Sequence, residues 1–121
     1  MARKVRDAAS PEATARWEAL VAEVLAQGIA TYGNPGGSGR PFGANALKVD
    51  GRIFAMLVKD RLVVKLPAAR VGELVSNGAG ERFDPGHGRI QKEWLSVFGD
   101  DPAEWRALTT EAEAYVAKRN R

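Results

Sequence analysis

Residues 44–66 read as three strands joined by two tight hairpins, ANALKV-DG-RIFAMLV-KD-RLVVKL, and the middle strand carries apolar side chains on both of its faces. A sheet with one wet face alternates apolar with polar, so a ribbon greasy on both sides has to be covered twice, by its own helices or by a partner. Asp50-Gly51 is the strongest short hairpin signal in the chain, because both central positions of a type I′ turn need positive φ. If both loops have an even residue count, Ala46, Lys48, Ile53, Ala55, Leu57, Leu62, Val64 and Leu66 share one face. Asn45, Leu47, Val49, Arg52, Phe54, Met56, Val58, Arg61, Val63 and Lys65 then share the other. The first face is expected to be a helix-packed core. The second has an apolar centre of Leu47, Phe54, Met56 and Val63 with Arg52, Arg61 and Lys65 at its margin, and is the expected interaction face for a protein partner or a second copy. Two alternatives stand beside it: a helix or the C-terminal tail covers this face, or a three-residue loop at Lys59-Asp60-Arg61 turns the third strand over.

The remaining elements flank this ribbon. Ser10-Pro11-Glu12 is an N-cap and first-turn signature, and Trp17, Leu20, Val21, Val24 and Leu25 follow at helical spacing, which predicts a helix from Pro11 to near Gln27. Residues 33–43 are Gly-rich and read as a flexible loop. Pro67 opens a short helix through Val71, Leu74 and Val75 that Asn77-Gly78 closes. Short strands are expected around Glu81–Phe83 and Trp94–Phe98. Asp101-Pro102-Ala103-Glu104 then starts a helix with Trp105, Leu108, Ala112, Tyr115 and Val116 as its buried stripe. The expected fold is α+β, an antiparallel five-stranded sheet with three helices in the order α-β-β-β-α-β-β-α. A chain of 121 residues suits one domain, here 1–121 with basic flexible tails at 1–9 and 118–121.

Charge and composition narrow the function classes. The net charge is +3, yet six of the 18 positive residues lie at Arg3, Lys4, Arg6, Lys118, Arg119 and Arg121, so residues 7–117 carry 12 positive against 15 negative charges. Within that body, residues 40–92 hold ten Lys/Arg against five Asp/Glu, whereas residues 93–117 hold one against six. Sheet and helices therefore differ in sign, either as ordinary solvated surface or as an anion-seeking sheet face. No apolar run approaches the ~20 residues of a membrane span, and the Met1–Arg6 start leads into no apolar signal segment, so no membrane is expected and the location is expected to be cytoplasmic. The absence of Cys removes disulfides and thiolate chemistry.

No reaction is written in the residues. The Gly33–Gly43 stretch lacks the Gly-Lys-Ser/Thr ending of a phosphate loop and leads into a strand rather than a helix. His87 is the only histidine, with Asp84 three residues earlier, which is too little for a three-ligand zinc site and leaves general-base work as a minor alternative. The serines have no nucleophile-elbow context, and Trp17, Trp94 and Trp105 fall at core-like positions. No cofactor, metal or catalytic residue is expected. An enzyme built on Asp84, His87 and Arg89 is the third-ranked reading.

Arg40-x-Phe42-Gly43, the Val49–Ala55 hairpin, Arg61-Leu62-Val63-Val64-Lys65, the helix after it, Phe83, Trp94 and the Trp105–Tyr115 helix together resemble the N-terminal domain of TfoX/Sxy proteins, which are related in fold to YjbR-like proteins. The resemblance covers about residues 40–117, and the Gly-rich stretch before Arg40 departs from it. It implies an antiparallel sheet with flanking helices and no known catalytic centre. Fuller members regulate natural competence genes and carry a C-terminal domain that would begin where this sequence stops. The expectation is a non-enzymatic regulatory or adaptor domain that binds a protein partner or itself, with Arg40, Phe42, His87, Arg89 and Lys92 as a second, loop-borne patch. The alternative is a nucleic-acid-associated regulator using Arg52, Arg61, Lys65, Arg89, Lys92 and the basic tails.

Overall fold

The computed structural model describes residues 10–32, 46–84 and 90–119. Helix α1 (Pro11–Leu25) begins as its sequence dictates: Ser10 is the N-cap, its hydroxyl accepts from the Ala13 amide at 3.1 Å, and Pro11 fills the first turn. The Ser10 amide itself donates to Asp60 Oδ1 at 2.6 Å, so the start of α1 is tied to a hairpin fifty residues away. A short strand β1 (Thr31–Tyr32) follows, then β2 (Ala46–Val49), β3 (Arg52–Val58), β4 (Arg61–Lys65), α2 (Ala68–Ser76), β5 (Gly80–Phe83), β6 (Gln91–Val97) and α3 (Pro102–Arg119). The strands form one antiparallel sheet in the order β1-β2-β3-β4-β6-β5.

The fold is α+β with three helices, as expected, but the sheet has six strands rather than five. The extra strand is β1, whose two exposed residues carry no alternation to read; it pairs with β2 through Thr31↔Lys48 and Tyr32↔Leu47, and the Tyr32 hydroxyl accepts from Trp17 Nε1 at 3.0 Å. Lys118 and Arg119 belong to α3 and not to a tail, because the helical pattern continues past Val116. The Gly-rich 33–43 segment and the N-terminal tail lie outside the described residues.

All three helices lie on one face of the sheet. Trp17, Leu20, Val21 and Val24 of α1, Val71 and Leu74 of α2, and Trp105, Leu108, Ala112 and Val116 of α3 share one core with Leu47, Val49, Phe54, Ala55, Leu62, Val64, Leu66, Leu95 and Val97. Burying a side chain of this size contributes about 1.5–3 kcal/mol, so this layer dominates stability. Arg70 of α2 clamps Glu111 of α3 at 2.8 and 3.4 Å and Glu73 at 2.7 Å, and these two carboxylates raise its already high pKa. The opposite face carries a smaller cluster, Ala46, Met56 and Val63, closed in by Ile53, Val58, Phe83 and Trp94, and no helix contributes to it among the described residues.

Which side chain sits on which face turns on one irregularity. Ala46 pairs with Met56 and Leu47 with Ala55, but Lys48 pairs with Ile53, so Phe54 is an extra residue in β3. The bulge lets the adjacent Phe54 and Ala55 both point into the helix-covered core. An unbroken alternation puts Leu47, Val49 and Phe54 on the open face and Ala46, Lys48 and Ile53 on the core face; the bulge reverses that assignment. Beyond it, the β3–β4 register is as expected, Leu57↔Leu62 and Val58↔Arg61 around a two-residue turn. Asp50 (φ 54) and Gly51 (φ 79) take the left-handed values that the type I′ hairpin requires.

Candidate anion-binding cleft at the end of the sheet

The turn at Asp50-Gly51, the bulge and the β4–β6 pairing act together to bring three cations and an indole to one end of the sheet. The turn sets Val49 opposite Arg52, and the bulge sets Lys48 opposite Ile53. Two strands across, Lys65 pairs with Trp94, and the Lys65 ammonium lies over the indole, 5.5 Å from the ring centroid. Trp94 sits where β6 is held from one side only: Arg82 pairs with Leu95 and Phe83 with Gln91, so residues 92–94 have no partner on β5. The result is a cleft of about 510 Å³ lined by Lys48, Gly51, Arg52, Ile53, Lys65, Trp94 and Val116. No carboxylate is among these lining residues.

Glu93, next to Trp94 in β6, flanks the cleft. Glu93 Oε1 lies 3.7 Å from Lys65 Nζ, and its Oε2 accepts from the Tyr115 hydroxyl at 3.0 Å, which links the cleft wall to α3. A second hollow of about 480 Å³ shares Lys65 and Trp94 with the first and adds the exposed Lys92, together with Ile90, Gln91 and Glu93. Lys48, Lys65 and Lys92 thus form a positive strip on β2, β4 and β6, and Arg52, whose pairing with Val49 puts it on the helix side of the sheet, joins them at the hairpin end. At ~4.8 Å per strand that strip is roughly 14 Å long.

The expected interaction face does not survive as a surface. Leu47 and Phe54 are 0% exposed inside the helix-covered core, and Met56 (6%) and Val63 (0%) are buried in the open-face cluster. These four side chains have no area left to offer a partner. Of the three marginal cations, Arg52 and Lys65 meet in the cleft. Arg61 lies at the opposite end of its strand, with Nη1 2.8 Å from Glu81 Oε2 and its guanidinium 5.0 Å from the centre of the half-exposed Phe98 ring. In the loop patch, Lys92 stands beside the cleft, while Arg40, Phe42, His87 and Arg89 lie outside the described residues.

Sequence reasoning missed Lys48, Ile53 and Trp94. Trp17 and Trp105 are core residues at 1% and 0% exposure, but Trp94 is half-buried and lines both hollows. Lys65 and Trp94 are neighbours only once β4 is known to pair with β6, which nothing local announces. Among the described residues no group of three or more His, Asp or Glu side chains is placed to hold a metal, and no helix is long and apolar enough to cross a membrane. A separate polar pair lies along α3: Thr109 Oγ1 and Glu113 Oε2 are buried with no hydrogen-bond partner, and burial pushes the Glu113 carboxyl above its ordinary pKa. Comparisons with protein-family models, with curated proteins and with solved structures gave no match.

Proposed function

We propose that this chain is a non-enzymatic recognition domain, similar to the N-terminal domain of TfoX/Sxy proteins, that works in the cytoplasm as a regulatory or adaptor module by holding an anionic partner at the end of its sheet. One observation carries the reading: Lys48, Arg52 and Lys65, from three different strands, line a single cleft with no carboxylate among its described lining residues. A half-buried site of this kind has a lower effective dielectric than bulk water, so attraction to a docked anion is several times stronger there than on an open surface. The wall around the charges is apolar and aromatic, Ile53, Trp94 and Val116, which suits a ligand with a body as well as a charge. Recognition by charge replaces the apolar docking face that the hairpins suggested.

The test is binding of two labelled polyanions, heparin and polyglutamate, followed by fluorescence anisotropy as salt is raised. Binding of either that weakens with salt and falls about tenfold or more in Lys48→Glu or Arg52→Glu supports the reading. Lack of binding at low salt, or binding that both variants leave intact, removes it.

A further inference from the structure

The cleft joins two features that a purely electrostatic docking site does not need together. Its three cations would serve any polyanion, but Trp94 stands among them as a wall common to two hollows, with the Lys65 ammonium over its ring. Acidic side chains would satisfy the cations and gain little from the indole. A ligand that carries a flat π-system beside a phosphate uses both, since a base stacks on an aromatic side chain and cations take the phosphate. Duplex DNA is a poor fit: the helix that reaches the cleft is α3, through Val116, and residues 93–117, which include most of it, carry six acids against one base and repel a long phosphate backbone. The dimensions suit a short ligand. A hollow of about 510 Å³ is in the ordinary range of small-molecule sites, and Lys92 extends the positive strip in one direction only.

We propose that the cleft is a nucleotide site, in which a nucleobase lies against Trp94 and its phosphate sits among Lys48, Arg52 and Lys65. This rests on the recognition reading above and names its ligand. The same chemistry comes from two sources, a free nucleotide or a nucleotide within a single strand, and Lys92 is placed to take the next phosphate of a strand. Glu93 competes with the ligand for Lys65, at 3.7 Å, so neutralising it strengthens binding.

The experiment follows tryptophan emission while the whole chain is titrated with ATP, inorganic tripolyphosphate, oligo(dT), oligo(dA) and polyglutamate. Trp17 and Trp105 are buried, so quenching reports Trp94, and Trp94→Phe identifies its share. Quenching by ATP or by an oligonucleotide is expected. It should fall about tenfold or more in Lys48→Glu and Arg52→Glu, rise in affinity in Glu93→Gln, and be unchanged in Lys59→Glu at the far hairpin. A strand that contacts three of these cations should lose roughly 20-fold in affinity for a fourfold rise in salt. ATP and oligonucleotide binding alike assign a free-nucleotide source, and oligonucleotide binding alone assigns a strand; both support the proposal. Tripolyphosphate binding as tightly as ATP overturns it, because the base then contributes nothing. Polyglutamate binding that is lost in Lys48→Glu, with no nucleotide binding, overturns the nucleotide site and leaves the recognition reading standing. Binding of no polyanion removes both.

Discussion

The two faces of the sheet are built from nearly the same kinds of residue and finish with different properties. One face is closed by three helices and holds Trp17, Phe54 and Trp105 at 1% exposure or less. The other has a small strand-only cluster, Ala46, Met56 and Val63, and then gives way to Lys48, Lys65 and Trp94 at its end. The first is a packing layer and tolerates little. The second combines a modest apolar patch with fixed charges, which is the composition of a binding surface rather than of a core. Apolar content along a strand is therefore a poor guide to the face proposed here for recognition; the placement of its lysines is what suggests it.

Substitution experiments test this contrast directly. The largest effect is expected on the closed face. Phe54→Ala should cost about 3–5 kcal/mol, read as a fall in the denaturant midpoint, and Phe54→Asp should prevent folding. An Asp at position 54 that leaves the melting temperature intact would place this side chain on the surface and reverse the comparison. Gly80→Ala comes next. A Cβ there would overlap the Ser96 carbonyl oxygen, a backbone atom on the neighbouring strand, so β5 must move away from β6 at a cost of about 1–3 kcal/mol by thermal or chemical melting.

Glu113 gives an effect of opposite sign. Burial raises its folded pKa above the ordinary 4.5, so the folded chain holds that proton more tightly than the unfolded chain does. The group's favourable contribution is complete below about 4.5 and is lost as pH rises from there through the folded pKa. Glu113→Gln should flatten that segment of the stability–pH curve, and Glu113→Met should stabilise the chain by about 1–3 kcal/mol at neutral pH, since it removes a buried group with an unpaired oxygen. An unchanged pH profile in Glu113→Gln would show that the carboxyl is solvated in solution. Smallest of all should be Lys48→Glu and Arg52→Glu, within about 0.5 kcal/mol of the parent in stability while binding is lost. A large loss of stability in either would make the cleft a structural feature of the fold.

Much of this architecture could be read from local signals. Ser10-Pro11, Asp50-Gly51, Asn77-Gly78 and Asp101-Pro102 mark element ends through backbone chemistry that needs no tertiary context. The left-handed Gly78 (φ 81) and the Ala103 amide bonded to Asp101 at 2.9 Å are what those signals require. Three features were not legible. β1 is two residues long, and it meets β2 and Trp17 only across fifteen or more positions. The bulge at Phe54 sends two adjacent apolar residues, Phe54 and Ala55, into the same core, and nothing in the run of apolar residues along β3 marks where the alternation breaks. The cleft depends on β4 lying beside β6 although α2 and β5 intervene, so Lys65 and Trp94 look unrelated along the chain.

The extra residue at Phe54 has an evolutionary corollary. Because side-chain direction repeats every two positions, a one-residue insertion opposite it in β2 would restore unbroken pairing, exchange the inward and outward sets on the turn side of the β2–β3 pair and leave β4 untouched. Lys48 would then turn toward the oil and Phe54 toward water. Relatives whose β2 is one residue longer at this point should have different surface electrostatics, and so a different appetite for ligands, on an otherwise unaltered scaffold.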